Sequence, residues 1–109
     1  MLTVNNQSIE TDKEGYLINL NDWNKEVAQA LAESENIQLT DKHWEVIEVL
    51  RQFYKSYEVS PSARPLAKAI KASLGDEKAN SIYLMTLFPE SPAKQGAKIA
   101  GLPRPANCF

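Results

Sequence analysis

The stretch TDKHWEVIEVLRQFYKSYE, residues 40–58, decides the fold. Its apolar residues Val46, Ile47, Leu50, Phe53, Tyr54 and Tyr57 recur at steps of three and four, which is the period of a helix with one buried face. No glycine or proline interrupts it. Thr40 is a good N-cap, and Asp41 suits the positive end of the helix dipole. The pattern predicts a central core helix over residues 41–58.

Working outward, each flanking segment supplies its own stop and start signals. Before it, NLNDWNKEVAQALAESE (19–35) reads as a first helix capped by Asn21, with Trp23, Val27, Ala30 and Leu31 on one face. At the N-terminus, LTVNNQSIE alternates weakly around Asn5-Asn6, which predicts a short hairpin. After it, SPSARPLAKAIKASLG (60–75) offers Ser60 or Ser62 as cap, and Pro65 is tolerated near the start. Leu66, Ala69, Ile70 and Leu74 face inward, and Gly75 closes the helix. A fourth helix opens near Asp76 or Asn80, carries Leu84, Leu87 and Phe88, and stops at Pro89. A short fifth helix runs from Pro92 to about Ala100, with Gly101 as its stop. The expected fold is mainly α (α+β): a small orthogonal domain of about five helices with a short N-terminal β-hairpin.

The 109 residues suit one domain with one core, expected over residues 1–100. They are 43% hydrophobic and 24% charged, an ordinary composition for a globular protein. No apolar run approaches a membrane span, and the first residues do not read as a secretory signal, so a cytoplasmic location is expected. The net charge of −2 is unevenly spread. Residues 1–60 hold five Lys/Arg against eleven Asp/Glu, and residues 61–109 hold seven against three. The basic half can hold an anionic species or attract an acidic partner; a solvated, uneven surface is the plainer reading.

The end of the chain, GLPRPANCF, differs in kind from the helices. Pro103 and Pro105 push Leu102 and Arg104 towards extended geometry. Residues 101–109 are therefore expected to be a mobile, nonhelical arm whose amides exchange fast from about Leu102 onward. The arm carries the only cysteine, Cys108, seven residues beyond Gly101. At ~3.1 Å per residue the thiol can stand about 20 Å from the helix end. A single cysteine in an extended arm is poorly placed for burial, which points to a reactive or spare thiol rather than a core residue. The Phe109 carboxylate disfavours the thiolate. Arg104, the nearest cation in sequence, and Lys98 offset it only if the arm folds back or a partner adds charge. Activation inside a complex suits a carrier better than a self-contained enzyme.

The segments TDKEGYL, HWEVIEVLRQFY, SPSARPLAKAI, NSIYLMTLFPESPAKQ and SPAKQGAKIAGLPRPANCF together resemble the DsrC/TusE family over essentially the whole chain. The family's common ending has the form GPAKQ…KIAGLPKP…C; here Glu90-Ser91 and Arg104 depart from it mildly. The resemblance implies a compact helical domain with a hairpin and a mobile arm bearing a penultimate cysteine. Two-cysteine members carry a second arm cysteine where this chain has Ala97, so the resemblance is to the single-cysteine branch. That branch implies a sulfurtransferase acting as a persulfide carrier. It accepts sulfur on Cys108 from a TusBCD-like donor complex and relays it to an MnmA-like thiouridylase, for 2-thiouridine at the tRNA wobble position. Neither a cofactor nor a metal is implied, and one Cys and one His so far apart make a poor metal site.

Persulfide transfer is displacement at sulfur and needs an accessible thiolate. A second thiol nearby would attack a Cys108 persulfide, so its absence protects the cargo. The catalytic residues expected are Cys108, as persulfide acceptor, and Arg104, as charge support or anchor of the arm. His43 reads as a half-buried structural histidine, with a general base as the alternative. Trp23 and Trp44 read as core, and Arg64, Lys68 and Lys71 as a solvated helix face that could otherwise meet a partner or RNA. A different class of function also fits the outline. Residues 62–88 resemble a helix-turn-helix, which would make the chain a DsrC-like trafficking or regulatory protein that binds nucleic acid; the overall acidity and lack of a dense Arg/Asn/Gln face oppose this.

Overall fold

A computed structural model describes residues 2–105. Strands β1 (Leu2–Val4) and β2 (Gln7–Ile9) pair antiparallel, with Leu2 opposite Ile9. Asn5 and Asn6 both take positive φ, 50° and 65°, as a two-residue hairpin turn requires. Five helices follow: α1 (Lys25–Ser34), α2 (Asp41–Tyr57), α3 (Ala63–Leu74), α4 (Ser81–Leu87) and α5 (Pro92–Ile99). The fold is a small, mainly helical domain with one two-stranded sheet, as the sequence predicts.

The helix starts follow from side-chain caps. Asn24 accepts from the Val27 amide at 2.9 Å, Asn80 from Ile82 at 2.7 Å and Ser91 from Lys94 at 3.2 Å. The first helix therefore begins three residues later than an Asn21 cap would place it. Leu20–Asp22 form a 3-10 turn instead, and Trp23 lies outside α1. The apolar face of α1 is Val27, Ala28, Leu31 and Ala32.

The long helix α2 is built as expected at its centre, where Val46, Ile47 and Leu50 are at most 1% exposed. Its ends differ from the periodic reading. His43 and Val49 are buried although the stripe omits them, whereas Tyr57, at the last turn, is 66% exposed. Tyr54 is partly buried against the core, while Tyr57 packs on Phe53, their ring centroids 4.6 Å apart.

The helix at the centre of the packing is α5, a short segment with a modest apolar content. It packs on α1, α2, α3 and α4. Ala93, Gln95, Gly96, Ala97 and Ile99 are all buried along its eight residues. Small residues permit this. A Cβ added at Gly96 would stand 2.8 Å from Leu50 Cδ1, so only a glycine lets α5 approach α2 this closely. Gln95 closes the turn before α5 from inside: its Oε1 accepts from the Glu90 amide at 3.0 Å, and its Nε2 donates to Glu90 Oε2 at 3.0 Å. The loop between α3 and α4 is tied to α2 by Lys78, 2.7 Å from Glu45, a contact that holds the Lys78 ammonium above its ordinary value.

Gly96→Ala gains helix propensity of up to about 1 kcal/mol but forces Leu50, which is fully buried, out of its place at a cost of about 1–3 kcal/mol. The net expectation is destabilisation, read as a lower urea midpoint. The Leu50→Val companion should restore part of the loss, because it removes the methyl group that collides.

Candidate functional site

Cys108, the residue expected to carry the chemistry, lies outside the described residues. What the structure defines is the root from which its arm leaves the body. Helix α5 ends in a Schellman turn. The Leu102 amide donates to Ala97 O at 2.9 Å, the Gly101 amide donates to Lys98 O at 3.1 Å, and Gly101 has φ +74°. Leu102, only 3% exposed, is the apolar residue that completes this motif.

Two side chains reach the last carbonyls of the helix from distant parts of the sequence. Trp23 Nε1 donates to Ile99 O at 2.9 Å, and Arg51 NH1 donates to Ala100 O at 2.6 Å. The Arg51 guanidinium stacks on the Trp23 ring, 3.8 Å from its centroid. Burial lowers the Arg51 guanidinium from its ordinary value. A Cβ at Gly101 would run into the Trp23 ring. Upstream, the Tyr16 hydroxyl donates to Lys94 O at 3.2 Å.

Beyond Gly101 the chain is nonhelical, but it does not leave the body there. Leu102 is buried, Pro105 is among the fully buried side chains, and the Ser60 hydroxyl donates to Pro103 O at 2.5 Å. The expected departure of the arm at Gly101 is therefore corrected for residues 102–105. Their apolar side chains, with the Schellman bond at Leu102, hold the segment along the loop between α2 and α3. Cys108 is the third residue after Pro105, at most about 11 Å of chain away.

Arg104, expected to support the thiol or anchor the arm, is exposed and paired with Glu14, NH1 to Oε1 2.8 Å. Both side chains are about half exposed, and pairs of that kind contribute about 0–1 kcal/mol. Lys98 is committed elsewhere. It lies 3.3 Å from Glu35 in a pair whose side chains are 15% and 19% exposed, and 5.5 Å over the Tyr16 ring. Ala97, where two-cysteine members carry a second thiol, is fully buried.

His43 is a structural residue. It is 7% exposed, more deeply set than the half-buried position expected. Its Nδ1 accepts the Thr40 amide at 3.1 Å and lies 2.8 Å from Thr40 Oγ1, while Nε2 is 2.9 Å from Leu87 O. Because a carbonyl only accepts, Nε2 carries the proton. The ring meets Phe88 edge to face at 5.4 Å. One histidine thus caps α2 and docks the end of α4, and neither nitrogen remains for proton transfer. Trp23 and Trp44 are half-buried: both pack against the core, and both line an open groove of about 890 Å³ together with Arg51 and Glu48. Arg64, Lys68 and Lys71 form the expected solvated face.

Sequence reasoning missed Arg51, because an arginine inside an amphipathic helix carries no local mark of a partner 49 residues away. The signal that could have found it is the pairing of a lone tryptophan before α1 with the KIAG helix end, which needs donors for its final carbonyls.

This architecture, a helical body that ends in a pinned, proline-rich extension, defines the class. A family model described as "DsrC like protein" matches residues 3–109, and the chain belongs to that family. It is 54% identical over 109 residues to a protein of Haemophilus influenzae named "Sulfurtransferase TusE homolog", with all of both chains covered. Among solved structures, DsrC of Allochromatium vinosum matches with a TM-score of 0.87 at 45% identity, covering 100% of both chains. The oxidized gamma-subunit of the dissimilatory sulfite reductase (DsrC) from Archaeoglobus fulgidus matches at 0.86 and 37%, covering 99% of this chain and 98% of that one.

Two measurements check this account. The Leu102 amide should be protected in hydrogen exchange, at the level of α5 itself, because it donates to Ala97 O; exchange at the free-amide rate would contradict the docked root. His43→Ala should lower stability by about 2 kcal/mol in urea titration, through loss of the cap and the tie to Leu87, and leave Cys108 alkylation unchanged.

Proposed function

We propose that this protein is a sulfur carrier: Cys108 takes persulfide sulfur from a TusBCD-like donor complex and passes it to an MnmA-like thiouridylase that makes 2-thiouridine at the tRNA wobble position. The observation that carries the reading is the docked arm root ending three residues before the only cysteine, in a chain alike over its full length to a named sulfurtransferase. A body that fixes the root and leaves the thiol on a short tip suits delivery into another protein's site.

In the loading step the Cys108 thiolate attacks the outer sulfur of the donor's persulfide. A new S–S bond forms at Cys108, the donor's S–S bond breaks, and the donor cysteine leaves as thiolate. Delivery is the same displacement with the roles reversed: the acceptor thiolate attacks the outer sulfur, and Cys108 leaves as thiolate. Neither step has a net oxidation, so no redox cofactor is called on. With no second thiol in the chain, a loaded Cys108 has no internal attacker.

The helix-turn-helix alternative gains no support from the fold. The helix that would read a groove, α4, is seven residues long, and its sequence SIYLMTL holds no charged side chain for phosphate.

Mass spectrometry of protein exposed to a persulfide donor should show the gain of one sulfur atom at Cys108, and Cys108→Ser should show none. Arg104→Ala should leave alkylation of the free thiol at the parental rate, because an exposed charge is screened, and should slow transfer between partners severalfold through loss of the Glu14 anchor or of a partner contact. Parental values for both rates would make Arg104 a bystander.

A further inference from the structure

We infer that Arg51 and Trp23 are positioning residues for sulfur transfer: they set the direction in which the arm leaves α5. The inference rests on Cys108 as the sulfur-carrying residue and adds how that residue is aimed.

The two Schellman bonds already satisfy the carbonyls of Ala97 and Lys98 and are sufficient to end the helix. The carbonyls of Ile99 and Ala100 are the ones left over, and each receives its own side-chain donor, from Trp23 and Arg51 respectively. These donors belong to separate elements, the turn before α1 and the middle of α2, and they are locked to each other by the stack of guanidinium on indole at 3.8 Å. Gly101 then turns with φ +74° directly against the same indole ring, which leaves no space for a Cβ. Three constraints therefore meet at the residue pair where helix becomes arm.

The consequence is one of leverage. A twist of about 20° at Gly101 would swing Pro105, about 12 Å further along the chain, by roughly 4 Å, out of its buried seat and away from the Ser60 and Glu14 contacts that hold the root of the arm. Displacement at sulfur needs donor and acceptor aligned to within about 1 Å. Downstream contacts, Ser60 to Pro103 and Glu14 to Arg104, hold the course that the clamp sets. Arg51 is suited to the task because its planar fork donates to a carbonyl while its face stacks, which lysine cannot reproduce.

The test uses the full-length protein and its Arg51→Gln, Arg51→Lys and Trp23→Phe variants, each loaded with polysulfide. Two acceptors are compared. Cyanide takes the outer sulfur as thiocyanate, with Cys108 leaving as thiolate, and has no docking geometry to satisfy. The MnmA-like thiouridylase with tRNA does. Release to cyanide should stay within about twofold of the parent in every variant. Transfer to the thiouridylase should fall about tenfold or more in kcat for Arg51→Gln and Trp23→Phe, with KM unchanged, and Arg51→Lys should recover part of the loss. Parental kcat in Trp23→Phe and in any folded Arg51→Gln would overturn the inference. So would a parallel loss towards cyanide, which would mark a general disturbance of the thiol, or a loss confined to KM, which would mark a docking contact. Trp23→Phe leaves an aromatic face for Arg51 but removes the N–H donor to Ile99 O together with one ring of the indole, so it decides the matter if Arg51→Gln does not fold. A parent that yields no thiocyanate at all would instead sink the sulfur-carrier reading, and the inference with it.

Discussion

The approach of Gly96 of α5 to Leu50 of α2, too close to admit a Cβ, is the constraint on which the rest of the structure depends. A helix of eight residues has little apolar surface of its own and is marginal in isolation. It becomes the centre of the domain because Ala93, Gly96 and Ala97 let neighbouring elements come close enough to bury it. Close approach converts small side chains into dense contact, and the surrounding Leu31, Leu50, Leu66 and Phe88 supply the apolar area.

Burying a helix along its length creates a second demand. Its terminal carbonyls cannot all be left to water, so donors must be delivered from elsewhere. Trp23 and Arg51 deliver them from 76 and 49 residues away along the chain, and Tyr16 adds a bond to Lys94 O in the first turn of the helix. The same bonds hold the N-terminal loop, the turn before α1 and the middle of α2 around one short segment. Gly101 follows from this arrangement twice over, since it needs both a positive φ and empty space beside Trp23.

The body thereby gives the tail a fixed origin. Residues 102–105 continue along the surface, held by buried Leu102 and Pro105, by the Ser60 bond and by the exposed Arg104–Glu14 pair. In the proposed relay the reactive atom and the scaffold are separate parts of one chain: the scaffold fixes the origin and course of the arm, and the last residues carry the thiol. The only histidine is drawn into the scaffold, joining the start of α2 to the end of α4.

Much of this was legible in the amino-acid order, wherever the governing physics is local. Helical periodicity in residues 40–58, the Asn5-Asn6 turn, the helix starts at Asn80 and Pro92, and the stops at Gly75 and Gly101 each depend on residues within one or two turns of one another. The lone thiol on a proline-rich tail, and with it the candidate chemistry, is likewise a property of the sequence. Tertiary structure alone decided that α5 is the hub, that Tyr57 faces solvent, that Trp23 leaves α1 to bond a helix end, and that the tail stays docked as far as Pro105. These outcomes turn on which distant surfaces meet. A glycine in a polar-looking helix does not announce what it allows to come close, and an arginine on a helix face does not announce which carbonyl it will reach.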